Sequence, residues 1–479
     1  MTKKVVIVGG GISGLTAAYR LSELMRERKT AVRIHVLEAA ERFGGVIEST
    51  PQDGFLLERG PDCFTAEPPH AVNLCKRLGL EKELVGVSPE NRRLHLCHNG
   101  RLFPFPDGFQ LIAPVKASSL LHLPFLSLSA VIRMACEPLI PPRNSPGDES
   151  LGALIRRRFG GEVAERIGQP LFGSIFSCDI DTLSVQAAFP RFAEMETKYG
   201  SLVAAFRAIA KKHAAKQVKP GERPPSIFYT FADGLQTLVD RLVEKLKESD
   251  LRTSAEVESI GRGTSWEVTL KGGERLEADA VCLALPSFCS AKLLTGIAPE
   301  TAHALKPVAR KSMITVNIGF AAGDGPSLPA GSGFIGSPKD KFEILGCTFS
   351  SQKFSSRAPE GSSLLRVFIG GTSCEALLSA SDTEIGDFAL EKLRTVLKIV
   401  TGPLFVTVSR YRGVMPHYQL GHLDRVAAIE GSLRESPGLY LAGNSFRGAG
   451  IPACIERAEA TAVSMAEFIT FFEMSLKGV

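Results

Sequence analysis

The chain has 479 residues, 44% hydrophobic and 22% charged, an ordinary globular composition long enough for two or three domains. Its net charge of +5 comes without long basic runs, which argues against a nucleic-acid-binding protein. Ten scattered cysteines, with no C-x-x-C pair and no Cys/His cluster at ligand spacing, argue against a metal centre and for a reducing compartment.

No run of about 20 uninterrupted apolar residues is present, and the N-terminus leads straight into a strand, so neither a transmembrane helix nor a signal peptide is expected. Lys4 to Gly14, KVVIVGGGISG, is the most informative stretch. Val5 to Val8 predict a short buried strand. Gly9, Gly11 and Gly14 follow in the spacing G-x-G-x-x-G, and Leu15, Ala18, Leu21 and Leu24 mark a helix behind them. Gly9 lets the chain turn, Gly11 lets backbone approach a pyrophosphate, and Gly14 lets helix pack on strand. The free N–H groups of the helix N-terminus then face the phosphates. A second strand, Arg33 to Leu37, ends in Glu38, 24 residues past Gly14. That is close to the ~20 expected for a carboxylate that grips a ribose hydroxyl, and it disfavours NADP.

Arg42-Phe43-Gly44-Gly45 offers a second glycine pair for close backbone approach to a large ligand. Gln52 to Leu57 predicts a strand, and Glu58-Arg59-Gly60-Pro61 a turn. Residues 68 to 80 predict a helix closed by Gly79. From Phe103 to Pro142 prolines break up apolar runs. This predicts an irregular helical subdomain, with a mouth that dips into a membrane surface or admits an apolar substrate as the sharper alternative. Leu151 to Phe176 reads as mostly helical, with Arg156, Arg157 and Arg158 on a solvated helix face, and Lys211 to Pro225 as a surface loop.

Gln236 to Leu246 predicts a helix. Glu256 to Ile260, Trp266 to Leu270 and Ala280 to Ala284 predict strands, with Gly272-Gly273 turning between two of them. Ser312 to Gly319, Phe342 to Phe349 and Leu364 to Ile369 predict a second, substrate-side sheet, and Asp382 to Leu397 an amphipathic helix. Gly438 to Ala442 reads as a buried strand, Gly443 to Gly450 as a glycine-dense loop, and Ile451-Pro452 as a helix start where proline's missing N–H is harmless. A dinucleotide with a large ring system could use both helix N-termini. For a flavin, the second would stabilise the anionic reduced ring.

These residues resemble the FAD-dependent oxidoreductases related to amine oxidases and phytoene desaturases. Within that group they are most similar to the oxygen-dependent protoporphyrinogen oxidase family, including its coproporphyrinogen-oxidising bacterial members. The blocks that carry the resemblance include Glu58 to Asp62, Asp179 to Ser184 (DIDTLS), Gly234 to Leu238 (GLQTL), Leu345 to Arg366 (with RAPEG and LLR) and Gly443 to Cys454 (GNSFRGAGIPAC).

The resemblance implies an α/β fold: a Rossmann-like FAD-binding domain from 1–87, 226–300 and 405–479, a helical, membrane-facing domain at 94–208, and a mixed-sheet substrate domain at 301–404. It implies FAD bound by Gly9, Gly11, Gly14, Glu38, Arg42, Gly45, Gly60 and Pro61, by the Val257 backbone on the adenine side, and by Gly443, Ile451 and Pro452 beside the ring. Ile335 and Phe368 match macrocycle clamps, Arg92 and Arg93 lie where relatives place a carboxylate-binding Arg, and Cys178 stands where many relatives carry Gly beside the substrate. Glu67 and the prolines after it replace a basic pair of some bacterial relatives.

The implied reaction is the six-electron oxidation of protoporphyrinogen IX to protoporphyrin IX, with O2 reduced to H2O2. Coproporphyrinogen III to coproporphyrin III is the alternative, and an amine oxidase or carotenoid desaturase the more distant one. No catalytic side chain and no metal is assigned. His417 and His422 could shuttle protons, but the structural reading of both is stronger. The expected location is cytoplasmic with a peripheral membrane contact. The expected partners are porphyrinogen and O2, with a homodimer allowed and no nucleic acid.

Overall fold

The computed structural model describes residues 2–145, 147–215, 226–337 and 342–477. Its first sheet is parallel and five-stranded. The order is Asp250–Arg252, Val32–Leu37, Lys3–Val8, Ala280–Leu283, Leu439–Leu441, so three distant parts of the sequence meet in one sheet with the glycine-bearing strand at its centre. Both faces of that strand are covered, which is why it reads as an unbroken apolar run rather than an alternation. Val5 and Ile7 face the first helix (Ile12–Glu27) and the last (Ile451–Lys477). Val6 and Val8 face a three-stranded antiparallel insert (Val257–Arg262, Trp266–Leu270, Arg275–Ala278) and the helix Ser287–Leu294.

The second sheet is mixed and seven-stranded: Phe405–Pro416, Arg310–Phe320, Ser363–Ile369, Gly346–Phe349, Gly333–Ile335, Leu94–His98, Arg101–Pro104. All neighbours are antiparallel except Gly333–Ile335 with Leu94–His98. One face buries Ile314, Val316, Ile318, Leu365, Val367 and Ile369 against the helix Asp382–Leu397, which a Ser381–Glu384 capping box starts. The other face presents Thr315, Asn317, Arg366 and Phe368 towards the nucleotide sheet. Leu94–Pro104 and Phe405–Pro416 thus join the strands of 301–404 in one sheet.

Three local expectations are corrected. Gln52 to Leu57 is a hairpin, Ser49–Gln52 with Phe55–Glu58, because Asp53 and Gly54 both take positive φ (50° and 81°) and turn the chain. In the stretch 342–349 only Gly346–Phe349 is strand. Residues 211–215 finish the helix Leu202–Ala215, and the rest of the expected loop lies outside the described residues.

The arginine run is also corrected. Arg158 is 0% exposed and forms ion pairs with Glu137 and with Glu196 (3.1 Å), while donating to the carbonyls of Ile140 (2.9 Å) and Gly200 (2.9 Å). Arg157 pairs with Glu149 at 2.7 Å and Glu196 at 2.9 Å, and Arg156 with Asp181 at 2.7 Å. The carboxylates come from residues up to 39 positions away, and nothing in the local sequence pattern marks them as partners.

Candidate active site

The three fingerprint glycines have different reasons to lack a side chain. A Cβ on Gly9 (φ +110°) would lie 2.5 Å from the Ala284 carbonyl oxygen, and one on Gly14 would lie 1.8 Å from that of Gly9. Packing alone explains both. Gly11 has an ordinary φ of −74°, and its Cβ would meet only the Gly45 Cα, at 3.9 Å. The protein does not need that space, so Gly11 keeps it free for a ligand. Gly11 bridges to Gly44, the Gly44 N–H donates to the Gly10 carbonyl at 2.8 Å, and Gly45 has φ +60°. Arg42 donates to the carbonyls of Gly45 (2.7 Å) and Ile47 (2.8 Å) and pairs with Glu48 (3.0 Å), so its guanidinium braces the second glycine loop.

Glu38 sits at this turn. Its carboxylate accepts the N–H groups of Gly10 (2.7 Å) and Ala40 (2.9 Å), which orient it. The Ala255 N–H donates to the Glu38 carbonyl at 2.8 Å, which brings Val257, two residues on, to the same end of the sheet.

The turn after the hairpin joins the two sheets. Asn317 Nδ2 donates to the Glu58 carbonyl (3.1 Å), Thr315 Oγ1 to that of Arg59 (2.8 Å), and Arg366 to that of Gly60. A Cβ on Gly60 would lie 1.8 Å from the Val46 oxygen, so the Gly60-Pro61 turn presses on the second glycine loop. The Glu58 carboxylate is buried and accepts Ser49 Oγ (2.7 Å), the Leu235 N–H (3.0 Å) and Arg357 (3.0 Å). Burial pushes its pKa up, against the pull of Arg357. Asp62 behaves oppositely. Burial alone would raise it, but Lys353 at 2.8 Å and Arg366 hold it well below the usual carboxylate range.

Arg366 is 3% exposed, yet its Nε and Nη1 have no hydrogen-bond partner, nor has Nη1 of Arg59. Buried donors of this kind cost about 1–3 kcal/mol each when unpaired. They fit a ligand rich in acceptors lying over Gly60.

The C-terminal loop closes the other side. Gly443 has φ +120°. Tyr418 donates to the Asn444 carbonyl, Asn444 to that of Val414 (3.2 Å), and His422 Nε2 lies 2.8 Å from that of Phe446. Ile451 and Pro452 open the last helix, and the Cys454 thiol on its first turn donates to the Ala449 carbonyl at 3.8 Å and lies close to the Ser13 side chain of the first helix. The N-termini of the first and last helices therefore lie side by side, aiming two positive ends at one place. Burial lowers the pKa of His422, and burial with the nearby Lys311 ammonium brings His417 down to about 4. His417 Nε2 is 2.9 Å from Thr182 Oγ1. Both rings pin loops, which favours the structural reading over proton shuttling.

On the free face of the mixed sheet, Thr315, Phe368, Gly346, Ile335 and Leu96 pair in one row across five strands. Gly346 stands between Ile335 and Phe368, both half-buried, and a Cβ on it would lie 2.4 Å from the Phe334 carbonyl oxygen, so strand packing explains the glycine. The Arg366 guanidinium stacks on the Phe368 ring at 4.6 Å. Ile335, Cys178 and Ala449 pack against one helical core, so the row, the Cys178 wall and the C-terminal glycine loop converge. Ser177 holds that wall to the sheet by accepting the Gly371 N–H at 3.0 Å. Arg92 and Arg93 lie apart from the row, at the start of strand Leu94–His98. Arg92 donates to the Val87 carbonyl (3.2 Å), and Arg93 is half-exposed beside Asp107 (3.5 Å).

Sequence reasoning passed over Arg366 and Lys311. The signal for Arg366 was a charge inside the apolar run LLRVFI, which only a partner or ligand tolerates. Among the described residues no cluster of three His, Cys, Asp or Glu could hold a metal.

Residues 12–466 match the family model for flavin-containing amine oxidoreductases. The coproporphyrinogen III oxidase of Bacillus subtilis is 34% identical over 460 residues, covering 96% of this chain and 97% of that protein. Protoporphyrinogen oxidase 1 of Arabidopsis thaliana chloroplasts is 31% identical, covering 98% and 89%. A crystal structure from Exiguobacterium sp. 255-15, provisionally named a protoporphyrinogen oxidase, superposes with a TM-score of 0.85 at 29% identity over 97% of this chain and 99% of that one. The glycine cradle, the paired helix N-termini and these likenesses agree: the chain belongs to the flavin-containing amine oxidoreductases, with FAD as cofactor, and within them to the porphyrinogen oxidases.

Proposed function

We propose that the protein oxidises coproporphyrinogen III to coproporphyrin III, with O2 as final acceptor. The carrying observation is the half-buried pair Phe368 and Ile335 in one row of the mixed sheet, set beside the unpaired donors of Arg366 and Arg59. A macrocycle resting on that row would have a bridge carbon held towards the place those donors face. The choice of the four-propionate substrate over protoporphyrinogen IX, the first expectation from sequence, is supported by the names of the bacterial relatives, coproporphyrinogen III oxidases of Bacillus subtilis and Propionibacterium freudenreichii among them.

FAD, when bound, supplies the hydride acceptor and is reoxidised by O2. Everything else is positioning by this chain. Gly9, Gly14 and Glu38 shape the nucleotide turn, Gly11 leaves room for the phosphates, and Arg42 stiffens the Gly45 loop. The adjoining helix ends and Arg366 put positive potential where electron density arrives. Phe368 and Ile335 fix the plane of the substrate, and Cys178 narrows the wall. No side chain here is poised as a general base, and hydride removal from an activated bridge carbon needs orientation more than a base.

Anaerobic stopped-flow mixing of flavin-loaded protein with coproporphyrinogen III should bleach the flavin within seconds and, on admitting O2, yield porphyrin fluorescence. Protoporphyrinogen IX should bleach it more slowly. Bound flavin that neither compound bleaches would remove the porphyrinogen reading.

No helix among the described residues is long and apolar enough to cross a membrane. Leu128 and Ile132, one helical turn apart, and Leu139 nearby are 76%, 55% and 82% exposed. This apolar ridge supports a peripheral lipid contact, the sharper of the two readings of the proline-rich region. The protein should float with anionic liposomes, and Leu128→Ser/Ile132→Ser should not. Wild type left wholly in the unbound fraction ends that reading.

A further inference from the structure

The mixed sheet places cations on opposite sides of the macrocycle row. Strand Arg310–Phe320 runs against Ser363–Ile369, so Lys311, four residues before Thr315, lies past the Phe368 end towards Gly370 and Ser177. Strand Leu94–His98 runs parallel to Gly333–Ile335, so Arg92 and Arg93, before Leu96, lie on the other side, as Arg366 does. At 3.3 Å per residue, Lys311 stands about 13 Å along its strand from the row.

The pairing with Phe405–Pro416 shifts register between Lys311 and Met313, so the neighbours of Lys311 show which side it takes. Ile314, Val316 and Ile318 face the helix Asp382–Leu397, and Thr315 and Asn317 face the site. Lys311 pairs with Met415, and the Ala309 carbonyl accepts the His417 N–H at 2.8 Å. The ammonium lies close enough to Cys178 and His417 to act on both. Lys311 is half-buried and forms no ion pair or hydrogen bond among the described residues. The Asp179 carboxylate, which acts on the same Cys178 and His417, is exposed and accepts the Asp181 N–H at 2.9 Å.

We infer that Lys311 anchors a carboxylate arm of the substrate on the side of the row opposite Arg92 and Arg93. This rests on the porphyrinogen reading and sharpens it. Protoporphyrinogen IX carries its two propionates on adjacent rings, along one edge. Coproporphyrinogen III carries one on every ring and can meet cations on both edges at once. An unpaired, partly desolvated ammonium on the far edge is therefore a specificity-determining residue for the four-carboxylate substrate.

The test uses flavin-loaded full-length protein. Lys311→Met should raise KM for coproporphyrinogen III about tenfold or more and leave kcat nearly unchanged, the loss expected for one charge-assisted contact shared by ground and transition states. Lys311→Arg should restore KM, and KM for protoporphyrinogen IX should move less than about twofold. Lys311→Glu should weaken binding of the product coproporphyrin III, followed by fluorescence, more than Lys311→Met does. An unchanged KM for coproporphyrinogen III, or equal changes for both substrates, overturns the assignment. Wild type that neither substrate reduces overturns instead the function on which it rests.

Discussion

Gly11→Ala is expected to give a folded protein that has lost its yellow colour. Its backbone has an ordinary φ of −74°, and the added methyl carbon meets protein only at 3.9 Å, so the apoprotein should melt within about 2 °C of wild type. In the proposed FAD site the same methyl group would occupy the space of the pyrophosphate. Flavin affinity should fall at least about a hundredfold, or about 2.8 kcal/mol. Gly14→Ala is the contrasting case. Its Cβ would sit 1.8 Å from the Gly9 oxygen, a backbone atom that cannot swing aside, so the first helix must leave the strand. Overpacking of this kind costs about 1–3 kcal/mol or more, and here the apoprotein itself should lose stability. Calorimetry of both apoproteins beside a flavin titration separates the two effects. A Gly11→Ala protein that binds flavin with wild-type affinity would mean that the cradle lies elsewhere.

Arg158→Met should be the most destabilising single change outside the flavin site. The arginine is wholly buried and answers two carboxylates and four backbone carbonyls. Removing one partner of a buried pair typically costs about 3–5 kcal/mol, because the other charge stays behind. The cost should lie near the lower value. Glu137 keeps donors from Ser201 and the Leu202 N–H (3.0 Å), and Glu196 keeps Arg157. Against a total stability of about 5–15 kcal/mol, that is enough to loosen the helical layer first. Urea unfolding monitored there should shift accordingly, and adding Glu137→Leu should recover part of the loss. A shift below about 1 kcal/mol would mean that water reaches the site.

Most of the nucleotide-binding half was legible because its signals are local. Continuous apolar strands, glycine spacing and helix periodicity sit within a few residues of one another, as Val5 to Leu24 shows. The loop Gly443 to Gly450 and the helix at Ile451 were legible for the same reason. What escaped depends on distant pairing. Nothing near Leu94 announces that it will lie parallel to Gly333, and nothing near Arg158 names Glu137 as its partner. Hydropathy marks Arg156 to Arg158 as polar, and polar runs are normally solvated. Ile335 and Phe368 came from family resemblance, but their place in one row with Gly346 between them came only from strand register. Lys311 escaped because a lysine at a strand end looks like ordinary surface charge.

The side-by-side starts of the first and last helices also bear on how the protein matures. Residue 13 leaves the ribosome more than four hundred residues before residue 454, beside which it lies. At roughly 5–20 residues per second, that is a delay of about 20–90 s. If Gly443 and Ile451 lie by the ring, as the resemblance implies, a nascent chain lacking the edge strand Leu439–Leu441 and the helix behind it carries the glycine fingerprint without a finished place for the ring. Flavin loading would then report that synthesis has passed this last helix. Incomplete chains would be left unable to expose a redox-active, oxygen-reducing cofactor to the cell.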